Sequence, residues 1–380
     1  MAVTTGYSLV LSSPAAAEGL KAGPLELGGA VRMNLIDKSW ETRQQRFSRA
    51  DLEFDTLRGE LRLNADRWSG SAQYRLYYYD ETDRVTHFLH HAWLGYEPDD
   101  HSRIKAGIHK VPFGNLPFNS NSYFFSLAYY VGLEDDYDLG LKYTRSMGPW
   151  RWDAAYYIAD EGSYFGDSDD SARYSYDVVK SPNSANHEEH QINTRLSYSF
   201  DHGRDADSEL GVSLQAGRIP NDAGGTGSHL AAAVHWNGDF GAWNVKVQSL
   251  WYRYNLANPP GRDNRIVVMG AYDFPYNVAA EGHMHTLGIS YDWNIDYGWL
   301  QGITIYNDYS YFVKAKDDFS DSHQNVAGMA FDVSPFHIYA DIAVGKHNAW
   351  IGPDFSNALT DGGNDDKFHT RLNLNIGLYF

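Results

Sequence analysis

Residues 367–380 read KFHTRLNLNIGLYF. From Phe368 to Phe380 the even positions are Phe, Thr, Leu, Leu, Ile, Leu and Phe, and the odd positions between them are His, Arg, Asn, Asn, Gly and Tyr. Side chains of a strand alternate between its two faces, so this period of two describes a strand with one apolar and one polar face. A soluble sheet accounts for the alternation but not for an aromatic terminus directly behind it. The closing strand of an outer-membrane barrel accounts for both, with lipid against the apolar face and a watery lumen against the polar one. The rest of the chain is consistent with that expectation.

The 380 residues are 43% hydrophobic, with a mean hydropathy of -0.51. No run of about 18 apolar residues occurs, so no transmembrane helix is expected. Aromatic residues make up 15%, including 28 Tyr and 11 Trp, enough to supply interfacial girdles at both membrane surfaces. Cysteine is absent, which excludes disulfides, thiol catalysis and thiolate metal sites. A net charge of -18 argues against nucleic acid as a partner. Residues 1–17 end in Ala15-Ala16-Ala17, the small-residue pattern of an export cleavage site, so residues 1–23 read as a leader or degenerate export signal with an N-terminal tail. Residues 24–380 read as one barrel.

Alternation recurs along the chain. Leu25, Leu27, Gly29, Val31, Met33 and Leu35 share one face, with Glu26, Arg32 and Asn34 on the other. In 47–65 the phase changes: Ala50, Leu52 and Phe54 share one parity, and Leu57, Gly59, Leu61, Leu63 and Ala65 share the opposite one. A β-bulge near Thr56 keeps both sets on the lipid side. Further strands are expected at 71–80, 87–97, 102–111, 137–145, 150–159, 188–200, 208–219, 228–236, 242–254, 282–294, 299–311, 322–333, 335–346 and 367–380. Residues 265–274 could add a strand, but antiparallel closure with both termini on one side needs an even number, so 255–281 is assigned to a long loop folded on itself. The result is an all-β, 16-stranded antiparallel transmembrane β-barrel. Its connections alternate between tight turns and long loops, the pattern of periplasmic turns and external loops.

Lumen-facing parity places ten basic residues inside: Arg32, Arg58, Arg62, Arg75, Arg103, Lys105, Lys142, Arg151, Arg195 and Arg371. They concentrate on the first eight strands and on the last, which closes against the first, so they would form a basic wall. Inward acids (Glu60, Asp138, Asp153, Asp292, Asp308 and Asp341) could instead pair with them in a balanced lumen. The third external connection, 112–136, sits where porins fold a loop inward. Tyr123, Phe124, Phe125, Tyr129 and Tyr130 could line a constriction there or simply pack the loop on the wall. Glu134, Asp135 and Asp136 would face the basic wall and set up a transverse field.

The segment Lys105 to Phe118, KAGIHKVPFGNLPF, runs from a strand into this third loop. It resembles the corresponding segment of the phosphate-selective porin O/P superfamily. The resemblance implies an outer-membrane porin for passive uptake, usually a homotrimer, with assembly machinery reading the terminal strand. Phosphate-selective members cluster lysines and arginines at the constriction. Residues 112–136 contain neither, so the resemblance carries the fold and not the phosphate ligands.

Enzyme signatures are weak. His283 and His285 form an H-x-H pair on one strand face, half of a metal site at most, and His87, His90 and His91 lie near a strand start. No G-x-S-x-G nucleophile motif occurs. Asp167-Ser168-Asp169-Asp170, Asp317-Asp318 and Asp365-Asp366 could hold divalent cations near lipopolysaccharide headgroups but lack EF-hand spacing, and read better as solvated loop surface. The expectation is a non-enzymatic channel in a bacterial outer membrane, in contact with lipid and lipopolysaccharide, without catalytic residues, metal or cofactor. It would pass small hydrophilic solutes by size exclusion and lumen charge. A selective sugar or organic-anion channel is the alternative, and an outer-membrane enzyme barrel a third.

Overall fold

The computed structural model describes residues 19–41, 51–79, 84–162, 170–363 and 365–380. The leader, Ala50 and the acids Asp167 and Asp169 lie outside these residues. Sixteen long antiparallel strands form a ring: β1 Leu25–Lys38, β2 Asp51–Ala65, β3 Trp68–Tyr79, β4 Arg84–Asp99, β5 Ser102–Lys110, β6 Tyr137–Met147, β7 Trp150–Asp160, β8 Glu189–Asp201, β9 Ala206–Pro220, β10 Thr226–Phe240, β11 Trp243–Asn255, β12 Glu281–Tyr297, β13 Leu300–Lys314, β14 Ser322–Val333, β15 Phe336–Lys346 and β16 His369–Tyr379. Each strand pairs with its sequence neighbours, and β16 pairs with both β15 and β1, which removes every open edge. A short strand, Leu20–Ala22, folds back on Leu25–Leu27.

Burial is inverted relative to a soluble sheet. On β16, Arg371, Asn373 and Asn375 are buried, while Leu372 is exposed on the outer face. Leu57, Leu61, Leu94, Leu141, Leu214 and Val234 are likewise exposed on other strands. Such a surface is stable against hydrocarbon and not against water. Trp68, Trp150, Trp243, Trp299, Phe336 and Phe380 are exposed at the end where the short turns lie, forming an interfacial girdle.

The phase change in β2 is a bulge. Arg32 pairs with Thr56 and Met33 with Phe54, so Asp55 is the extra residue, one place before the position read from the alternation. Within 256–280, strands Ile266–Ala271 and Phe274–Ala279 form a hairpin outside the ring. Its two-residue turn has positive φ at both Tyr272 (56°) and Asp273 (71°), the geometry that matches strand twist. This hairpin pairs with a short strand, Asp177–Val178, in the loop after β7.

Candidate functional site

Alternation delivers one side chain in two to the interior of the ring. Arg371 on β16, Arg32 on β1, Arg58 on β2 and Arg75 on β3 come from four consecutive strands and line a cavity of about 1010 Å³. Arg58 and Arg75 are direct cross-strand partners, an arrangement that opposes like charges. Arg32 is paired with the bulge residue, its Nη2 2.7 Å from Asp55 Oδ2. The other three rest on aromatic faces: Arg58 4.8 Å from the Tyr379 ring centroid, Arg75 4.5 Å from Tyr174 and Arg371 5.2 Å from Phe124. Arg75 also donates from Nε to Gln73 Oε1 (2.6 Å) and from Nη1 to the Tyr77 hydroxyl (3.2 Å). Among the described residues none of these three is ion-paired, and the Nε groups of Arg58 and Arg371 are buried without a hydrogen-bond partner. Three guanidiniums held on π faces keep their charge and N–H groups directed at the cavity.

The remaining six basic residues placed inside by parity do not line this cavity. Arg62 and Arg103 sit near the short turns, paired with Glu60 and Glu97. Lys105 and Lys142 oppose each other across β5 and β6; Lys105 lies 3.6 Å from the Trp93 ring centroid, and Lys142 donates to the Lys110 carbonyl. Arg151 pairs with Asp153 at 3.1 Å. Arg195 is fully buried, donating from Nε to Gly114 O at 2.8 Å and pairing with Glu209. Carboxylates and backbone carbonyls on the same wall consume these cations. The wall facing the cavity is therefore narrower than parity alone suggests. Lys246 on β11 does line it, donating to Asn121 Oδ1 at 2.9 Å. Its inward parity, between Val245 and Val247, was readable in the sequence.

Residues 111–136 leave β5 and hydrogen-bond to mid-strand groups on the opposite side of the ring. Asn115 N donates to Gln248 Oε1 (2.8 Å), Asn119 Nδ2 to Thr286 Oγ1 (2.7 Å), and Asn121 N and Ser122 N to Asp308 Oδ2 (2.8 and 2.7 Å). Gln324 Nε2 donates to Phe125 O at 2.7 Å. Tyr123 lines the cavity: its hydroxyl donates to Asp55 and accepts from Asn34 Nδ2, while Arg32 lies over its ring. Phe124 supports Arg371. Phe125 stacks on Tyr129 at 4.3 Å. Tyr129 hydrogen-bonds the Tyr272 hydroxyl of the inserted hairpin, and Tyr130 donates to Phe124 O at 2.8 Å. The five aromatics thus both face the cavity and pack the loop.

Of the three acids ending this loop, Asp135 lines the cavity, and Glu134 and Asp136 do not. Glu134 is buried in the loop's own backbone and accepts from Asn119 N, Ser120 N and Ser126 N. Burial still holds its carboxyl above the usual range. Asp135 pairs with Lys110 and accepts from the Tyr174 hydroxyl at 2.5 Å. Asp136 packs near Asp138 and Asp177, and burial beside Asp177 and Glu188 pushes its carboxyl well up. A loop of irregular backbone must satisfy its own donors, and the carboxylate at its root is a near acceptor. The carboxylates across from the arginines are Asp239 on β10 and Asp292 on β12, which line the cavity and accept from Asn244 and Thr304.

His283 and His285 point outward, with His285 bound to Ser249. Asp318 pairs with Arg265, Asp365 with His369 and Asp366 with Lys346.

The profile of the phosphate-selective porin O and P family matches residues 38–281. A comparison with curated protein sequences finds no match. Among solved structures, the anion-selective porin from Comamonas acidovorans aligns over 94% of this chain and 99% of its own, with a TM-score of 0.58 and 13% identity. The outer membrane channel DcaP of Acinetobacter baumannii aligns over 96% of this chain and all of its own, with a TM-score of 0.57 and 12% identity. The trimer form of OmpT from Vibrio cholerae aligns over 95% of this chain and all of its own, with a TM-score of 0.57 and 13% identity. Identities this low establish a shared barrel fold.

Proposed function

This chain belongs to the phosphate-selective porin O and P family of outer-membrane porins, and we propose that its channel prefers small anions. One observation carries the reading: Arg58 and Arg75 face each other across β2 and β3 with no carboxylate paired to either among the described residues. Like charges directly opposed in a sheet are destabilising, and a structural role would have supplied an acid between them. Arg371 extends the same surface onto β16. A solute anion passing these guanidiniums meets charge-assisted donors on one side, while Asp239 and Asp292 orient its dipole from the other. The mechanism is size exclusion plus this field, with no covalent step. Residues 111–136 narrow the lumen and hold Tyr123 and Phe124 beneath Arg32 and Arg371. The anion-selective porin from Comamonas acidovorans shares the fold, which agrees with this reading. The trimer form of the Vibrio cholerae protein supports a homotrimer.

The aromatic backing favours a second, narrower reading. Each unpaired arginine sits against a ring, and Tyr77, Tyr79 and Tyr339 line the same cavity. A carboxylate attached to a flat apolar body would satisfy both surfaces, which makes organic anions the class this cavity suits in transit. Reversal potential across a planar bilayer under a KCl gradient tests the first reading. Cation selectivity would overturn it. Concentration-dependent block by benzoate, absent with chloride alone, tests the second.

A further inference from the structure

A group of buried carboxylates lies outside the cavity just described. Asp136 ends the inserted loop, Asp138 begins β6, and Asp177 belongs to the loop after β7. One oxygen from each lies within 4.8 Å of the others, and all three residues are buried. Glu161, fully buried, packs beside Asp177 and accepts from Ser175 N at 2.6 Å. Glu188 lies close enough to influence Asp136 and Asp138, and Asp160 close enough to influence Asp177.

The positive charge present falls short of this negative charge. Arg173 is the cation of the cluster, and it is shared among Asp160, Asp170 and Asp177 at 2.8, 2.7 and 3.0 Å. Gln191 Nε2 donates to Asp138 Oδ2 at 2.8 Å. Among the described residues, two oxygens of these carboxylates have no hydrogen-bond partner: Asp136 Oδ1 and Glu161 Oε2. Orphaned carboxylate oxygens are costly in a protein interior and call for a counter-charge. A hard cation with oxygen ligands at about 2.3–2.6 Å spans ligand oxygens up to about 5 Å apart, whereas magnesium at about 2.0–2.1 Å draws them closer.

We propose that Asp136, Asp138 and Asp177, with Glu161 at hand, form a calcium site. It ties three elements together: the root of the inserted loop, the wall at β6, and the loop after β7 that also pairs with the Ile266–Ala271 hairpin. Calcium would then set how firmly the lumen segment is held, independently of which solutes cross. This inference does not rest on the anion reading, since none of these carboxylates lines the arginine cavity.

The test uses the folded full-length barrel in detergent, stripped with EDTA. Equilibrium dialysis with radioactive calcium should find one ion bound per chain, with magnesium at equal concentration a weak competitor. Asp138→Asn and Asp177→Asn should each weaken binding by at least about tenfold. Heat-modifiable migration on gels confirms that both variants are folded. Calcium should also raise the thermal unfolding midpoint of the native chain and leave that of Asp138→Asn unmoved. Two results overturn the proposal. One is no bound calcium on a folded native barrel. The other is an Asp136→Asn variant that is stabilised in EDTA while calcium changes neither protein, which would mean that protons neutralise the cluster.

Discussion

Phe380 and Gly29 exchange both of their backbone hydrogen bonds: Phe380 N–H donates to Gly29 O at 3.0 Å, and Gly29 N–H donates to Phe380 O at 2.7 Å. This pair lies at the short-turn end of the seam between β16 and β1 and fixes the register in which the ring closes. A side chain at position 29 would have no room, because its Cβ would lie 2.7 Å from Arg58 O and 2.9 Å from Phe380 Cζ.

Gly29→Val should therefore lower the yield of closed barrel and destabilise what forms by roughly 1–3 kcal/mol, the usual cost of overpacking. Heat-modifiable gel migration and urea midpoints in lipid vesicles measure both quantities. A valine variant that assembles and unfolds like the native chain would show that the seam tolerates a shift.

Replacing the opposed arginines separates function from stability. Arg75→Gln should reduce the anion-to-cation permeability ratio by about tenfold, the low end of the range for a focused charge. The same change removes a like-charge opposition, so stability should hold or rise by roughly 0.2–1 kcal/mol. Reversal potentials and urea midpoints on one preparation read both. A large loss of stability with unchanged selectivity would make Arg75 a structural residue.

Ionic strength gives a second handle on the same surface. The Debye length falls from about 10 Å at 0.1 M salt to about 3 Å at 1 M. Anion preference measured with a fixed concentration ratio should thus be stronger in dilute KCl than in concentrated KCl. A ratio independent of salt would point to steric rather than electrostatic selection.

Asp308 accepts from Asn121 N, Ser122 N and Asn121 Nδ2, and so anchors the inserted segment on β13. Asp308→Ala leaves those donors unpaired, at about 1–3 kcal/mol for each buried group left unsatisfied. Single-channel records should show larger mean conductance and added flicker. Unchanged conductance would mean that Gln248, Thr286 and Gln324 hold the segment without it.

Glu188, just before β8, is pushed up to about 8 by burial and by Asp177. The folded state then holds a proton that the unfolded chain releases near pH 4.3. Folded chains bind more protons across that window, so stability should fall as pH rises from about 4.3 to about 8 and level off above it. Asp136, Glu161 and Asp177 act in the same direction. Urea midpoints in EDTA between pH 5 and pH 9 would show the slope, and Glu188→Gln should flatten it.

Much of the fold was legible in the residue order. Sixteen strands follow from alternation, and the phase change in 47–65 located the bulge to within one residue of Asp55. Setting the stretch between β11 and β12 aside from the ring was correct except at its end residues Asn255 and Glu281, although the Tyr272-Asp273 turn carries no glycine to mark it as a hairpin. The site was legible only in part. Parity tells which side chains point inward, and it placed Arg32, Arg58, Arg75 and Arg371 there with the rest. It left open whether Glu60 and Asp153 would pair with the basic residues, as they do with Arg62 and Arg151, and it did not tell that Arg103 and Arg195 would meet Glu97 and Glu209. The first three of these acids lie within six residues along the same segment, yet pairing is decided by rotamer and bulge.

The sequence by itself determined that the chain is a barrel with an apolar exterior, because a period of two is a local property of each strand and survives without knowledge of its neighbours. Only the tertiary structure decided which charges face open space. Curvature brings Asp239 and Asp292 across from β16, β1, β2 and β3, while the inserted loop turns Glu134 onto its own backbone and Asp136 toward Asp177. Those arrangements join side chains from different strands and loops. Electrostatic balance depends on such distances, which alternation along one strand does not encode.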